Sequence, residues 1–184
     1  FSAAIATGGN NLALDAGTAG NITLSAALTG RGAMTVRDGA VQAYDALTVG
    51  SLSIADATTS VTFNGVVDAS TTITVNSGGT IVQTGAVTAA TNIDYDAGST
   101  IALNATITAS GDVSITAGAA FSIADTKTLT VAAGKDIVVQ GTSAALTGGL
   151  VSSGAGDITV TATTGDITLD DANEVSAIVA TGTI

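Results

Sequence analysis

The chain has 184 residues, of which 46% are hydrophobic and 10% charged, and its 15 acids against four cations give a formal net charge of −11. That is enough apolar material for the core of one domain, and it excludes the basic face that nucleic acid or an anionic membrane surface requires. Pro, Cys, His and Trp are absent, so disulfides, thiolate metal sites and nucleophile–base pairs built on His or Cys are excluded as well. No apolar run approaches the length of a membrane-spanning helix. The chain opens on Phe1, not on an initiator Met, and shows no signal peptide, which reads as a processed chain or an excerpt.

In chain order, residues 1–20 contain Leu12-Ala13-Leu14 and then the turn-like Asp15-Ala16-Gly17. Residues 21–24 form a polar–apolar–polar–apolar tetrad, Met34-Thr35-Val36 follows, and Arg37-Asp38-Gly39 reads as a turn. Residues 41–49, with Tyr44 and Asp45, are less regular. Ile22 and Leu52 are 30 residues apart, which predicts an insertion emerging as a loop from that coil. Leu52-Ser53-Ile54 opens the regular part.

Over 71–123 the sequence repeats every 20 residues. The tetrads at 72–75, 92–95 and 112–115 mark one apolar ladder. Val61, Ile81, Ile101 and Phe121 form a second, Val67, Val87 and Ile107 a third, and Gly78, Gly98 and Gly118 a glycine ladder. Side chains two apart share a face of a strand, so each unit holds three short strands with turns between them. The pattern slips by one residue near 52. It is disturbed again where the third ladder meets Lys127 and resumes two residues late at Leu129 and Val131, as a bulge or longer corner would produce. Ile137 and Val139 return to the first face, as do Ile158 and Val160. Ile167 and Leu169 take the second face, and residues 175–179 the third.

A fixed period near 20 with three short strands per unit predicts an all-β fold, a single-stranded parallel β-helix of seven to eight coils forming a rod about 35 Å long. The handedness rule for parallel crossovers makes it right-handed. The whole chain, 1–184, reads as one β-helix domain: irregular coils at 1–50, regular coils at 51–126, then an irregular corner and further coils at 127–184. A helical fold is excluded by the density of Thr, Val, Ile and Gly and by apolar spacing of two. A β-sandwich has short strands too, but its hairpins do not repeat side chains at a fixed interval. Like residues stacked on like fill the interior, and Gly is expected at corners that need positive φ or a tight bend.

Three near-20-residue units start with Gly-Asp-Val-Ser or Gly-Asp-Ile-Thr, at 111–114, 156–159 and 165–168. In these units most of the chain resembles the β-helical repeats of large secreted bacterial adhesins, of the filamentous-haemagglutinin and autotransporter-passenger type. The resemblance implies export to the cell surface or beyond, a long rod, and attachment or surface coating. The chain departs from it in having no Asn-Pro type secretion motif, so that secretion route finds no support in the residues.

Two acidic pairs are candidate sites: Asp94 with Asp96, flanking Tyr95, and Asp170 with Asp171, near Glu174. Either would offer hard oxygens to Ca²⁺, but neither has the spacing of an EF-hand or of a calcium-binding β-roll, and solvated carboxylates are the expectation. Paired carboxylates also serve glycoside hydrolysis. Against that, the aromatic residues are only Tyr44, Tyr95, Phe1, Phe63 and Phe121, with the last two on core ladders. Gly78-Gly79 and Gly148-Gly149 lie between strands with no Gly-Lys-Ser/Thr after them, which rules out a phosphate loop.

The expectation is therefore no catalytic, metal or cofactor-binding residue, and an extracellular structural, filament-forming or surface-coating bacterial protein. An adhesin segment binding host receptors or glycans is the alternative, and a polysaccharide-degrading β-helix enzyme the third. Residues 1–8 and 175–182 match at five of eight places. With no capping segment over either end, this predicts that the chain's partner is itself, as a head-to-tail homopolymer or as the continuation of a longer rod.

Overall fold

The computed structural model describes residues 1–89 and 91–169 and the backbone of 178–179. Among these there is no helix; 25 short strands form three parallel sheets of nine, eight and eight strands. Each sheet is one wall of a β-solenoid. The first wall climbs through Leu12–Leu14, Ala33–Val36, Ser51–Ala57, Ile73–Ser77, Ile93–Ala97, Val113–Ala117, Ile137–Gly141 and Ile158–Ala162. The second climbs from Ile22–Leu24 to Ile167–Leu169, and the third from Ile5–Ala6 to Ile178–Val179. The chain visits the walls in a fixed rotation, so the strands make eight coils of roughly 20 residues, and at about 4.8 Å per coil the stack is about 35 Å tall.

The ladders of the sequence are columns of the core. Ile73, Ile93 and Val113 are register partners in the first wall, Val61, Ile81, Ile101 and Phe121 in the second, and Val67, Val87 and Ile107 in the third. All are buried. Strand alternation turns the residues between them outward, which keeps Thr74, Asp94 and Ser114 exposed. β-branched side chains stacked on their own kind fill a pleated wall without changing its width, so successive coils superimpose.

Both irregularities have a local cause. The slip near 52 is a register shift: Ile54 pairs with Val75 but Ala57 with Ser77, so neither Ala55 nor Asp56 has a register partner. The disturbance at Lys127 is a longer corner. It turns through Thr126 at φ 61 and is closed by a 3.1 Å bond from the Lys127 N–H to the Ala124 carbonyl. Leu129 then pairs with Ile107, 22 residues back.

One expectation is corrected. The coil at 33–50 carries no insertion: Ile22 pairs with Gln42 in the second wall, whereas Leu52 pairs with Met34 in the first, so their spacing compares different walls. The longer coil comes earlier, where the turn from Asp15 to Gly17 (φ 67) separates Leu14 from Ile22. Of the two reasons expected for glycine at the corners, the ladder glycines meet the tight bend and not the positive φ. Left-handed glycines among the described residues are Gly8, Gly9, Gly17, Gly134 and Gly154. Gly98 and Gly118 instead lie so close to the coil below that a Cβ on either would collide with the carbonyl oxygen of the glycine beneath it. The stretch 175–182 lies outside the described residues except for the backbone of 178–179, which stands in the third wall, as Ile5–Ala6 does.

Ile93 is 1% exposed and sits between Ile73 and Val113. Ile93→Asp places an unpaired charge inside a column and is expected to cost at least about 3 kcal/mol. Thermal or urea unfolding checks it: an Ile93→Asp protein as stable as the parent contradicts the register.

Candidate functional site

Among the acids of the described coils, Asp15, Asp112 and Asp136 accept backbone N–H groups. At the corner before the first wall the Asn92 side chain accepts from the Asp112 N–H at 3.0 Å, Asp112 from Asp136 at 3.1 Å, and Asp136 from Asp157 at 2.9 Å. Asn11 and Asn21 do the same for the N–H groups of Ala33 and Val41. The Asx side chain thus holds the first N–H of the strand above it, at a point where the chain bends out of ladder geometry. The glycine before it is steric: a Cβ at Gly111 would strike Asn92, and one at Gly156 the Lys135 carbonyl. The Gly-Asp starts of 111–114 and 156–159 are therefore accounted for as corner devices.

Asp94 and Asp96 both point outward, each between uncharged register partners: Thr74 and Ser114 for Asp94, Asn76 and Thr116 for Asp96. They are two residues apart on one strand, about 7 Å along it. Asp94 borders an open depression of about 400 Å³ with Asn92, Asp112, Ser114, Asp136 and Val138. Its corner carboxylates already accept backbone N–H groups, and Lys135 stands 4.0 Å from Asp112. Among the described residues no three acids are grouped to hold a metal ion. Asp170, Asp171 and Glu174 lie outside the described residues.

The aromatic side chains are almost wholly interior. Tyr44, Tyr95, Phe63 and Phe121 are fully buried, and Phe1 is 69% exposed. Tyr44 and Phe63 stack at 5.6 Å between ring centroids, and Phe63 and Tyr95 at 6.4 Å. Phe1 is thus the one aromatic side chain exposed on the described coils.

Sequence reading missed the polar groups inside the core. Gln42 and Gln83 are fully buried. The Tyr44 hydroxyl donates to Gln42 Oε1 at 2.6 Å, and the Gln42 amide donates to the Asp56 carbonyl at 2.9 Å. Gln42 thereby binds a carbonyl in the stretch where the register shifts. Tyr95, from the first wall, donates across the core to Gln83 Oε1 in the second at 3.0 Å, and Gln83 donates to the Gly85 carbonyl at 2.6 Å. The available signal was a Gln at an inward register: Gln83 stands in the column of Phe63 and Leu103, and Gln42 in that of Ile22 and Val61.

The outer faces differ in charge. The third wall carries Asp68, bonded to Arg31 at 3.2 Å, while Arg31 also donates to Ser70 at 2.6 Å, so one guanidinium ties strands across two coils. Both partners are largely exposed, which limits the pair to a small contribution. The second wall, from Val41–Tyr44 to Ser143–Leu146, has no charged side chain in any strand. Compared with family models, with curated proteins and with solved structures, the chain matches none.

Two measurements test the interior network. Tyr95→Phe strands the Gln83 oxygen and Gln83→Leu strands the Tyr95 hydroxyl, each at about 1–3 kcal/mol. The double variant is expected to be less destabilised than the sum of the two. Additive losses would show that the bond is not made. Burial also pushes both phenols well above their ordinary 10.0. The unfolded chain then ionises before the folded one, so this stability is intact below the unfolded pKa and is lost as pH rises above about 10. With two tyrosines in the chain, tyrosinate absorbance is expected to appear together with unfolding at alkaline pH, and not before it.

Proposed function

We propose that the chain is part of an extracellular structural rod of a bacterium, in which β-solenoid coils stack axially, either between copies or as the continuation of a longer rod. The observation that carries this reading is the in-register parallel stacking of all three walls. The outermost strands offer the same row of N–H and C=O groups and the same apolar columns as any internal strand. Ile167 and Leu169, in the last described strand of the second wall, are 46% and 56% exposed although their column is core below. A further coil of the same design would cover them. Support for the extracellular and bacterial part is the resemblance carried by the Gly-Asp starts at 111–114 and 156–159; the third, at 165–168, leads into the second wall of the coil that 156–159 begins and so starts no unit of its own. Contact between two unlike stack ends is heterologous and propagates instead of closing.

Light scattering after size exclusion, with electron microscopy of the same material, tests it. Particles of constant width whose length grows with concentration are expected. A stable monomer at high concentration, with no filaments, refutes axial assembly.

The charge-free second wall favours a second reading, an adhesin segment that meets an uncharged glycan across that face. Glycan-array binding that Thr80→Asp and Thr100→Asp abolish would support it.

A further inference from the structure

We propose that Asn64–Gly65 is a site of spontaneous covalent modification, at which Asn64 loses its side-chain amide through a cyclic imide while the protein remains folded. It is the one Asn-Gly pair in the chain. It lies at the corner between Ser60–Phe63 of the second wall and Val67–Ala69 of the third, and the Asn64 side chain is exposed. Ring closure needs a side-chain amide carbon that can approach the next backbone nitrogen, and a backbone N–H that no ladder bond holds. Both conditions are met here. Among the described residues neither the Asn64 side-chain amide nor the Gly65 N–H has a hydrogen-bond partner. One coil above, the matching N–H of Gly85 is held by the Phe63 carbonyl at 3.2 Å. Glycine at 65 also removes the Cβ that would hinder the attack and leaves the local backbone its widest range. Asn11, Asn21 and Asn92 are engaged, each accepting a backbone N–H, the Asn10 amide donates to Thr7, and Asn76 and Asn104 are followed by Ser77 and Ala105, whose side chains hinder the attack.

In the step itself the Gly65 nitrogen bonds to Cγ of Asn64 and gives up its proton. The bond from Cγ to the side-chain nitrogen breaks, and ammonia leaves with that proton. Water then adds to one of the two imide carbonyls. Opening on one side gives aspartate, and on the other isoaspartate, so the net reaction is asparagine plus water to acid plus ammonia. The register of Tyr44 with Phe63 sets Asp45 beneath Asn64, so either product stacks a second carboxylate on Asp45. Isoaspartate also adds one atom to the backbone at this corner, whose Asn64 N–H is bonded to the Tyr44 carbonyl at 2.8 Å.

The test is incubation of the folded protein in heavy-oxygen water at neutral to mildly alkaline pH, followed by peptic digestion and fragment mass spectrometry. Label-bearing acid is expected at residue 64, with isoaspartate in excess, several-fold faster than at Asn76, Asn92 or Asn104. Asn64→Gln, which changes an exposed and unbonded side chain, is expected to melt with the parent and to lose the fast product. Gly65→Ala is unsuitable, because its Cβ would stand 2.7 Å from Asp45 Oδ1. An Asn64 that stays intact in the folded protein while the urea-unfolded chain reacts would overturn the proposal, as would equal rates at the other asparagines.

Discussion

Everything in this structure depends on one constraint: each coil lies one strand spacing, about 4.8 Å, above another coil of the same outline. The backbone hydrogen bonds of all three walls run along the stack, so a coil that changed its cross-section would break ladders in three sheets at once. That condition selects the side chains. Inside, Ile, Val and Leu sit on one another, as in Val61, Ile81 and Ile101. At the corner of Gly98 and Gly118 the backbone of one coil touches the next, and no Cβ fits. Nearest-neighbour stacking is then the unit of stability.

Polar groups are tolerated in this design where they repair the ladder. Gln42 enters the core beside the register shift and bonds the Asp56 carbonyl. Asn92, Asp112 and Asp136 perform the same service at an outer corner, each taking an N–H of the coil above. An unpaired buried backbone group costs about as much as a lost hydrogen bond, so these residues belong to the architecture. Two carboxylates that border the depression beside Asp94, those of Asp112 and Asp136, are likewise committed to the backbone.

The surfaces left over are flat, and they differ in charge more than in shape. The second wall is uncharged over six successive strands, while Asp68 and Arg31 mark the third and Asp94 and Asp96 the first. The interior of the described coils is filled by packed side chains. At the corners the chain leaves the ladder, and there the Gly65 N–H goes unbonded.

The sequence by itself determined the period, the three strands per coil, the columns from 52 to 123 and both irregularities, because a solenoid stacks residue on residue and so writes its geometry as direct repetition. Ile73, Ile93 and Val113 were legible as one column for that reason. Repetition was no guide where coil length varies. Ile22 and Leu52 look alike as members of apolar alternations, and only the fold shows that they belong to different walls, since an alternation carries no label for its wall. Nor does a linear period describe what lies across the interior. Tyr95 reaches Gln83 from the opposite wall, and Phe63 stacks with both tyrosines, because corner lengths set which side chains meet in the cross-section. Those contacts are decided in three dimensions, where the width of the coil brings together residues that the repeat keeps in separate columns.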